Sequence, residues 1–193
     1  LLLHNGQNWF IFLQYKTDHG TFKIYYGFYD TPFGRCIIGV TDTDKAILHF
    51  AFVVKDDITA VGDLQNEWLL SEVIEDSNQM INNLMEDVFS PTENKKASSI
   101  LLLLKGTEFQ IEVWKALVSL PEGTTTTYEN VASMINKPKA IRAVANAIGK
   151  NRIAYLIPCH RVMGKNGSNK YSWGIKYKQS ILSYESNKTL SAV

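Results

Sequence analysis

The chain has 193 residues, 45% of them apolar and 20% charged, which is enough to pack one or two domains. No apolar run approaches the ~20 residues of a membrane span, so no membrane partner is expected. Two cysteines (Cys36, Cys159) cannot build a disulfide framework and suit a reducing compartment, and the four scattered histidines lack the paired spacing of a zinc site. No metal is expected. The net charge of +1 hides a split: residues 1–104 carry 7 Lys+Arg against 14 Asp+Glu, and residues 105–193 carry 13 against 5. An acidic first half and a basic second half suggest two units, the second facing a polyanion, although basic surface is often merely solvated.

The opening "LLLHNGQNWFIFLQYK" has neither a basic start nor a small-residue cleavage site and is not read as a signal peptide. "TFKIYYGFY" (21–29) and "RCIIGV" (35–40), separated by the turn "DTPFG", read as β-strands. "KAILHFAFVV" (45–54) follows the turn "TDTD" and completes an antiparallel meander. From Leu64 to Phe89 the apolar residues recur at helical spacing, which predicts two helices broken near "EDSN". "SPTENKKASS" (90–99) is turn-rich, and "ILLLLK" (100–105) reads as a buried strand with the domain boundary beside it.

Beyond that boundary the texture changes to short helices. Thr107 is placed to N-cap a helix through "TEFQIEVWKALVSL", with Phe109, Val113, Ala116 and Leu117 on one face. "TTTTYENVASMIN" predicts a helix from about Tyr128 to Ile135. After "NKP", the run "KAIRAVANAIGK" stacks Ile141, Val144, Ala145 and Ile148 at helical spacing. Two short helices across a tight turn in the basic half are either an ordinary helical hairpin or a helix-turn-helix. The alanines, which permit close approach to a surface, and Arg142 among them favour the latter.

"IPCHRV" (157–162) holds the second cysteine. A lone cysteine is more often a buried spectator than a nucleophile, and a thiolate needs a base or a positive field, for which His160 and Arg161 are candidates. Pro158 restricts Ile157 to an extended shape and argues for a rigid turn holding the thiol, exposed, at a cleft edge. Downstream, "GKNGSNKYSWG" is a polar loop and "IKYKQSILSYE" an amphipathic helix whose Glu185 could fix the tautomer of His160.

The segment Gly106–Glu185, "GTEFQIEVWKALVSLPEGTTTTYENVASMINKPKAIRAVANAIGKNRIAYLIPCHRV…YSWGIKYKQSILSYE", resembles the O6-alkylguanine-DNA alkyltransferases. "TPFGRCIIGVTDTDKAILHF" is similar to that family's N-terminal strands. The resemblance implies an α+β protein with a ribonuclease-H-like α/β domain (1–104) and a winged helix-turn-helix domain (105–193). It implies direct-reversal DNA repair, in which the alkyl group of O6-alkylguanine, or O4-alkylthymine, passes once and irreversibly to Cys159.

Residue by residue, the resemblance assigns His160 as the base acting through a water and Glu185 as the acid that orients it. Asn151 braces the active-site turn. Tyr128 protonates the leaving guanine. Arg142 fills the gap left by the flipped nucleotide, with Ala140, Ala143 and Lys139 at the DNA. Pro158, Tyr171, Ser172 and Trp173 form the substrate pocket, and Trp173 at its mouth is expected to slow large adducts. The implied partner is double-stranded DNA met by a monomer, with no cofactor. The compartment is the cytoplasm of a prokaryote or the nucleus of a eukaryote. Taken singly each of these residues has a bland alternative, such as a packed tyrosine or a solvated glutamate. Competing readings are an alkyltransferase-like lesion binder, which lacks the reactive cysteine, a DNA-binding regulator, and a Cys–His hydrolase. Three departures stand out: the loop before Tyr171 is one residue short, Arg152 replaces a frequent proline, and Trp173 is bulky near the pocket mouth.

Overall fold

The computed structural model describes residues 2–4, 9–15, 21–89, 99–165, 167 and 170–191. The chain divides into two compact units, the first made mainly of residues 8–105 and the second of 106–193 together with 3–7. The sequence segment 90–98 and loop positions 166, 168 and 169 lie outside the described residues.

The first unit is built on a seven-stranded sheet, in the order β1-β2-β7-β5-β4-β3-β6. Its strands are β1 (Leu2–His4), β2 (Trp9–Gln14), β3 (Lys23–Thr31), β4 (Gly34–Thr41), β5 (Ile47–Phe52), β6 (Glu72–Glu75) and β7 (Ser99–Leu104). The meander expected from sequence is present: β3 pairs antiparallel with β4, and β4 with β5. β7 then joins parallel to β5, and β2 parallel to β7. Helix α1 (Asp57–Glu67) is N-capped by Asp56, whose carboxylate accepts from the Thr59 amide. Leu64 of α1 packs with Ile24, Ile37, Leu48, Trp68 and Leu103 in one buried cluster. On the opposite face of β3, Gly27 leaves room for Ile81 of helix α2 (Met80–Phe89), whose atoms would lie 3.4 Å from an added Cβ. With helices on both faces, a central strand gains nothing from alternation. That is why "CIIGVT" is buried at every position.

The two helices read from Leu64 to Phe89 need correction. The first helix begins earlier, at Asp57, and stops at Glu67; residues 72–75 form β6 at the sheet edge, parallel to β3. Val73 and Ile74 fall within that helical spacing, but they are β-branched neighbours and suit a strand.

In the second unit, α3 (Glu108–Val118) starts at the predicted Thr107 cap, completed by Gln110 into a reciprocal capping box. Gly106 precedes it because a Cβ there would meet Trp114 at 2.8 Å. The buried face is Ile111, Val113, Trp114, Leu117 and Val118, with Phe109 and Ala116 only half-buried. A two-residue ribbon pairs β8 (Thr126–Thr127) with β9 (Val162–Met163). Helix α4 (Tyr128–Met134) follows β8 directly, capped by the Thr127 hydroxyl. Asn136 (φ 56°) makes the left-handed turn out of α4, and the Lys137 amide returns to Ala132 O. Helix α5 (Ile141–Gly149) buries Val144, Ala147 and Ile148, while Ile141 stays exposed. The Trp114 indole of α3 donates to the Ala147 carbonyl of α5 at 2.9 Å. The long helix α6 (Ile175–Ser191) closes the unit, entered through Gly174 at φ 104°.

Candidate active site

Between α5 and α6 the chain makes a compact turn-rich passage, and Asn151 holds it. Its amide nitrogen donates to Ile153 O (3.0 Å) and Ile157 O (3.2 Å) and lies 3.2 Å from Cys159 Sγ; its oxygen accepts from the Ile153 amide. One buried side chain thus substitutes for the backbone partners that this irregular stretch cannot find in itself. Pro158 ends the passage, and residues Cys159–Arg161 form a 3-10 turn rather than an α-helix. A rigid turn at the cysteine is what the proline predicts.

Cys159 is 5% exposed, so the exposed sulfur anticipated from sequence is not what the resting structure has. It lines a cavity of about 470 Å³ whose walls include Tyr128, Asn146, Gly149, Lys170, Tyr171 and Ser172. Burial pushes the thiol up to about 11, against the downward pull of the Asn151 amide and the positive charge of Lys178. The resting sulfur is therefore a thiol at neutral pH. Tyr128 and Tyr171 are both raised, first by burial and then by proximity to Cys159, and the Tyr171 hydroxyl is buried. The Ser172 hydroxyl donates to Gly149 O across the cavity rim. Trp173 and Pro158 are buried and are not among the lining residues; Trp173 stands edge-on behind Tyr171 at 5.1 Å.

His160 and Glu185 are both fully buried, with Nε2 2.7 Å from Oε1. A carboxylate only accepts, so Nε2 carries the proton, and in the neutral ring Nδ1 is left as an acceptor. Burial lowers the pKa of His160, with the charges of Arg161 and Lys178 adding to that and Glu185 opposing it. Burial would raise Glu185, but hydrogen bonds and charge from His160 and Arg161 outweigh it and bring the carboxyl to about 2. Its oxygens also receive the Gly123 amide at 3.1 Å and the Arg161 guanidinium at 2.7 Å. Tyr155, in the left-handed region at φ 61°, lies parallel to the imidazole with ring centres 6.2 Å apart.

Cys159, Asn151, Tyr128, His160 and Glu185 are thus gathered around one turn, with Tyr171 and Ser172 on the cavity wall. Arg142, Lys139, Ala140 and Ala143 are not lining residues: Arg142 and Ala143 lie on α5, Ala140 caps it and Lys139 precedes it, at positions that are exposed or, for Ala140, half-buried. Sequence reasoning missed Lys178, Tyr155 and the commitment of Arg161 to Glu185 and to Leu120 O. A signal for Lys178 existed. It shares a face of α6 with Ile181 and Glu185, at spacings of three and seven residues, so a charge fell on the buried side.

The described residues carry no group of three or more potential metal ligands. No described helix is long and apolar enough to cross a membrane.

With that geometry in hand, comparison with known proteins is specific. The family described as 6-O-methylguanine DNA methyltransferase, DNA binding domain, matches residues 108–187. The methylated-DNA–protein-cysteine methyltransferase of Methanosarcina mazei is 39% identical over 145 residues, covering 75% of this chain and 87% of that protein. The bifunctional transcriptional activator/DNA repair enzyme Ada of Escherichia coli is 31% identical over 89% of this chain, which spans 48% of its length. A probable methylated-DNA–protein-cysteine methyltransferase of Acanthamoeba polyphaga mimivirus is 46% identical over half of this chain and 65% of its own length. The crystal structure of Mycobacterium tuberculosis OGT in complex with DNA is 27% identical, with a TM-score of 0.62 over 85% of this chain and 94% of that one. The chain belongs to the methylated-DNA–protein-cysteine methyltransferase family. Its fold is mixed α/β, a sheet with helices, as in those structures.

Proposed function

We propose that this protein repairs double-stranded DNA by taking the alkyl group of O6-alkylguanine onto Cys159, once per molecule. The observation that carries the reading is a single thiol on a cavity of about 470 Å³, hydrogen-bonded by Asn151, with His160, the next residue of the turn, paired to the buried Glu185.

The reaction is an in-line displacement. The thiol proton leaves toward Nδ1 of His160 through a bridging water, and the sulfur lone pair attacks the alkyl carbon. An S–C bond forms as the C–O6 bond breaks. The bond pair stays with guanine, which gains a proton from the Tyr128 hydroxyl on the cavity wall. Glu185 fixes the imidazole with Nδ1 as acceptor and stabilises the imidazolium. The product thioether resists thiol reductants, so the site is spent.

The O6 atom is out of reach inside a duplex, so the nucleotide must be extruded, at a cost of a few kcal/mol. The α4–α5 pair with the Asn136 turn supports a helix-turn-helix reading, and β8–β9 supports the wing. Arg142 on exposed α5 is the wedge, with Ala140, Ala143 and Lys139 at the narrow groove. The meander followed by the parallel strands β7 and β2 supports a ribonuclease-H-like first domain. A lesion binder without chemistry is the rival, and Cys159 on the cavity wall argues against it.

The test is intact mass after incubation with duplex carrying O6-methylguanine. Gain of one methylene on the Cys159 peptide, in proportion to protein, is the expected result. Unchanged mass with tight binding would overturn the transferase reading.

A further inference from the structure

Helix α5 reads "IRAVANAIG", and Arg142 and Asn146 are its only polar side chains. They stand four residues apart, so Asn146 follows Arg142 on the same side of the helix, about 6 Å further along its axis. Val144, Ala147 and Ile148 are turned into the core, whereas Arg142 and Asn146 are exposed. Among the described residues neither of these two side chains has a hydrogen-bond or ionic partner. Asparagine is a poor helix former because its amide competes for backbone groups, and Asn146 sits inside a nine-residue helix without making such a bond. The two also differ in place. Asn146 lines the cavity that holds Cys159 and Arg142 does not, which puts the amide nearer the cavity than the proposed wedge.

We infer that Asn146 reads the minor-groove edge of the base pair beside the extruded nucleotide, and makes repair faster where that pair carries a 2-amino group. The inference rests on the repair reading, with α5 in the minor groove and Arg142 in the vacated place of the stack. Successive pairs lie about 3.4 Å apart, so a side chain one helical turn beyond the wedge meets the floor of the groove at the adjoining pair. There an A·T pair offers acceptors alone, and a G·C pair adds the N2 amino donor of guanine. A guanidinium or an ammonium only donates, so Arg142 and the lysines around α5 cannot register that donor. An amide can. Its oxygen accepts from N2–H while its nitrogen donates to the acceptor alongside. Two bonds therefore form at G·C and one at A·T. Contacts from the exposed Lys139, Lys150 and Arg152 to phosphate would add affinity without any such preference.

The test measures the rate of methyl uptake on the Cys159 peptide from duplexes in which O6-methylguanine is flanked by chosen pairs. Inosine·C keeps the major-groove face of G·C and lacks only the amino group; 2-aminoadenine·T adds that group to A·T. The wild-type protein is expected to react about fivefold faster with the amino group than without it, in both series. Asn146→Ala, which replaces a poor helix former with a good one and should fold, is expected to lose that preference. Asn146→Leu keeps the bulk without the amide and is expected to behave as Asn146→Ala does. Stacking differences between the duplexes act on all three proteins alike, so the change of preference between proteins is the readout. A preference that survives in both variants, or none in the wild-type protein, would overturn the inference. So would equal slowing on every duplex, which would leave Asn146 as a contact to sugar or phosphate. None of these outcomes touches the repair reading. That reading falls, and carries the inference with it, only if the wild-type protein takes up methyl from no duplex at all.

Discussion

A carboxylate with no exposed surface stays an anion only when its lone pairs are claimed, and Glu185 has His160, Arg161 and the Gly123 amide on its two oxygens. Its folded pKa of about 2 lies below the ordinary value of 4.5. For an acid whose pKa is depressed by folding, the stabilisation is complete above the unfolded value and is lost as pH falls through the folded one. The protein should therefore lose melting temperature as the pH falls from about 4.5 toward about 2. Glu185→Gln should cost about 3 kcal/mol or more at neutral pH, because it leaves Arg161 buried without its anion. It should also flatten the acid limb, and an unchanged limb in that variant would assign acid loss to other groups. Residue identity carried this site well. A lone cysteine, a histidine beside it and a glutamate 26 residues after the cysteine are legible as letters. Their burial is not, because exposure depends on which distant side chains close over a turn. That is why the sulfur was expected at a surface and is found inside, and why Trp173 was expected at a mouth and stands behind Tyr171. A consequence for Trp173→Gly follows: it withdraws packing from Tyr171 instead of widening the cavity.

At the scale of elements, periodicity and punctuation did most of the reading. The Thr107 cap, the Asn–Lys–Pro turn and the proline before Cys159 each act through their immediate neighbours, so each is visible locally. Strand β6 was missed for the converse reason. It exists because β3 offers it an edge, and nothing within Glu72–Glu75 announces that partner. The exposed α5 separates two roles that a single substitution can distinguish. Arg142 is exposed and does not line the cavity, so Arg142→Ala should leave alkylation of Cys159 by iodoacetamide unchanged. Methyl uptake from duplex should nevertheless slow by about tenfold or more, while uptake from the free base O6-methylguanine is unaltered. Equal slowing on duplex and free base would remove the wedge role.

Across the whole molecule, charge and chemistry are distributed unequally. Residues 105–193 hold 13 Lys+Arg against 5 Asp+Glu, and Lys139, Arg142, Lys150 and Arg152 are exposed along and around α5. Binding to undamaged duplex should weaken linearly in log salt. Three phosphate contacts would cost about 40-fold between ~50 and ~200 mM monovalent salt. An affinity indifferent to salt, measured by fluorescence anisotropy, would exclude backbone contacts as the source of binding.

The indole of Trp114 grips the Ala147 carbonyl in the final turns of α5. A side chain that levers a nucleotide out of its stack must push against something that does not yield. In the proposed flipping step the recoil on Arg142 would pass along this short helix into a tryptophan embedded in α3, so the packed interior would bear the load.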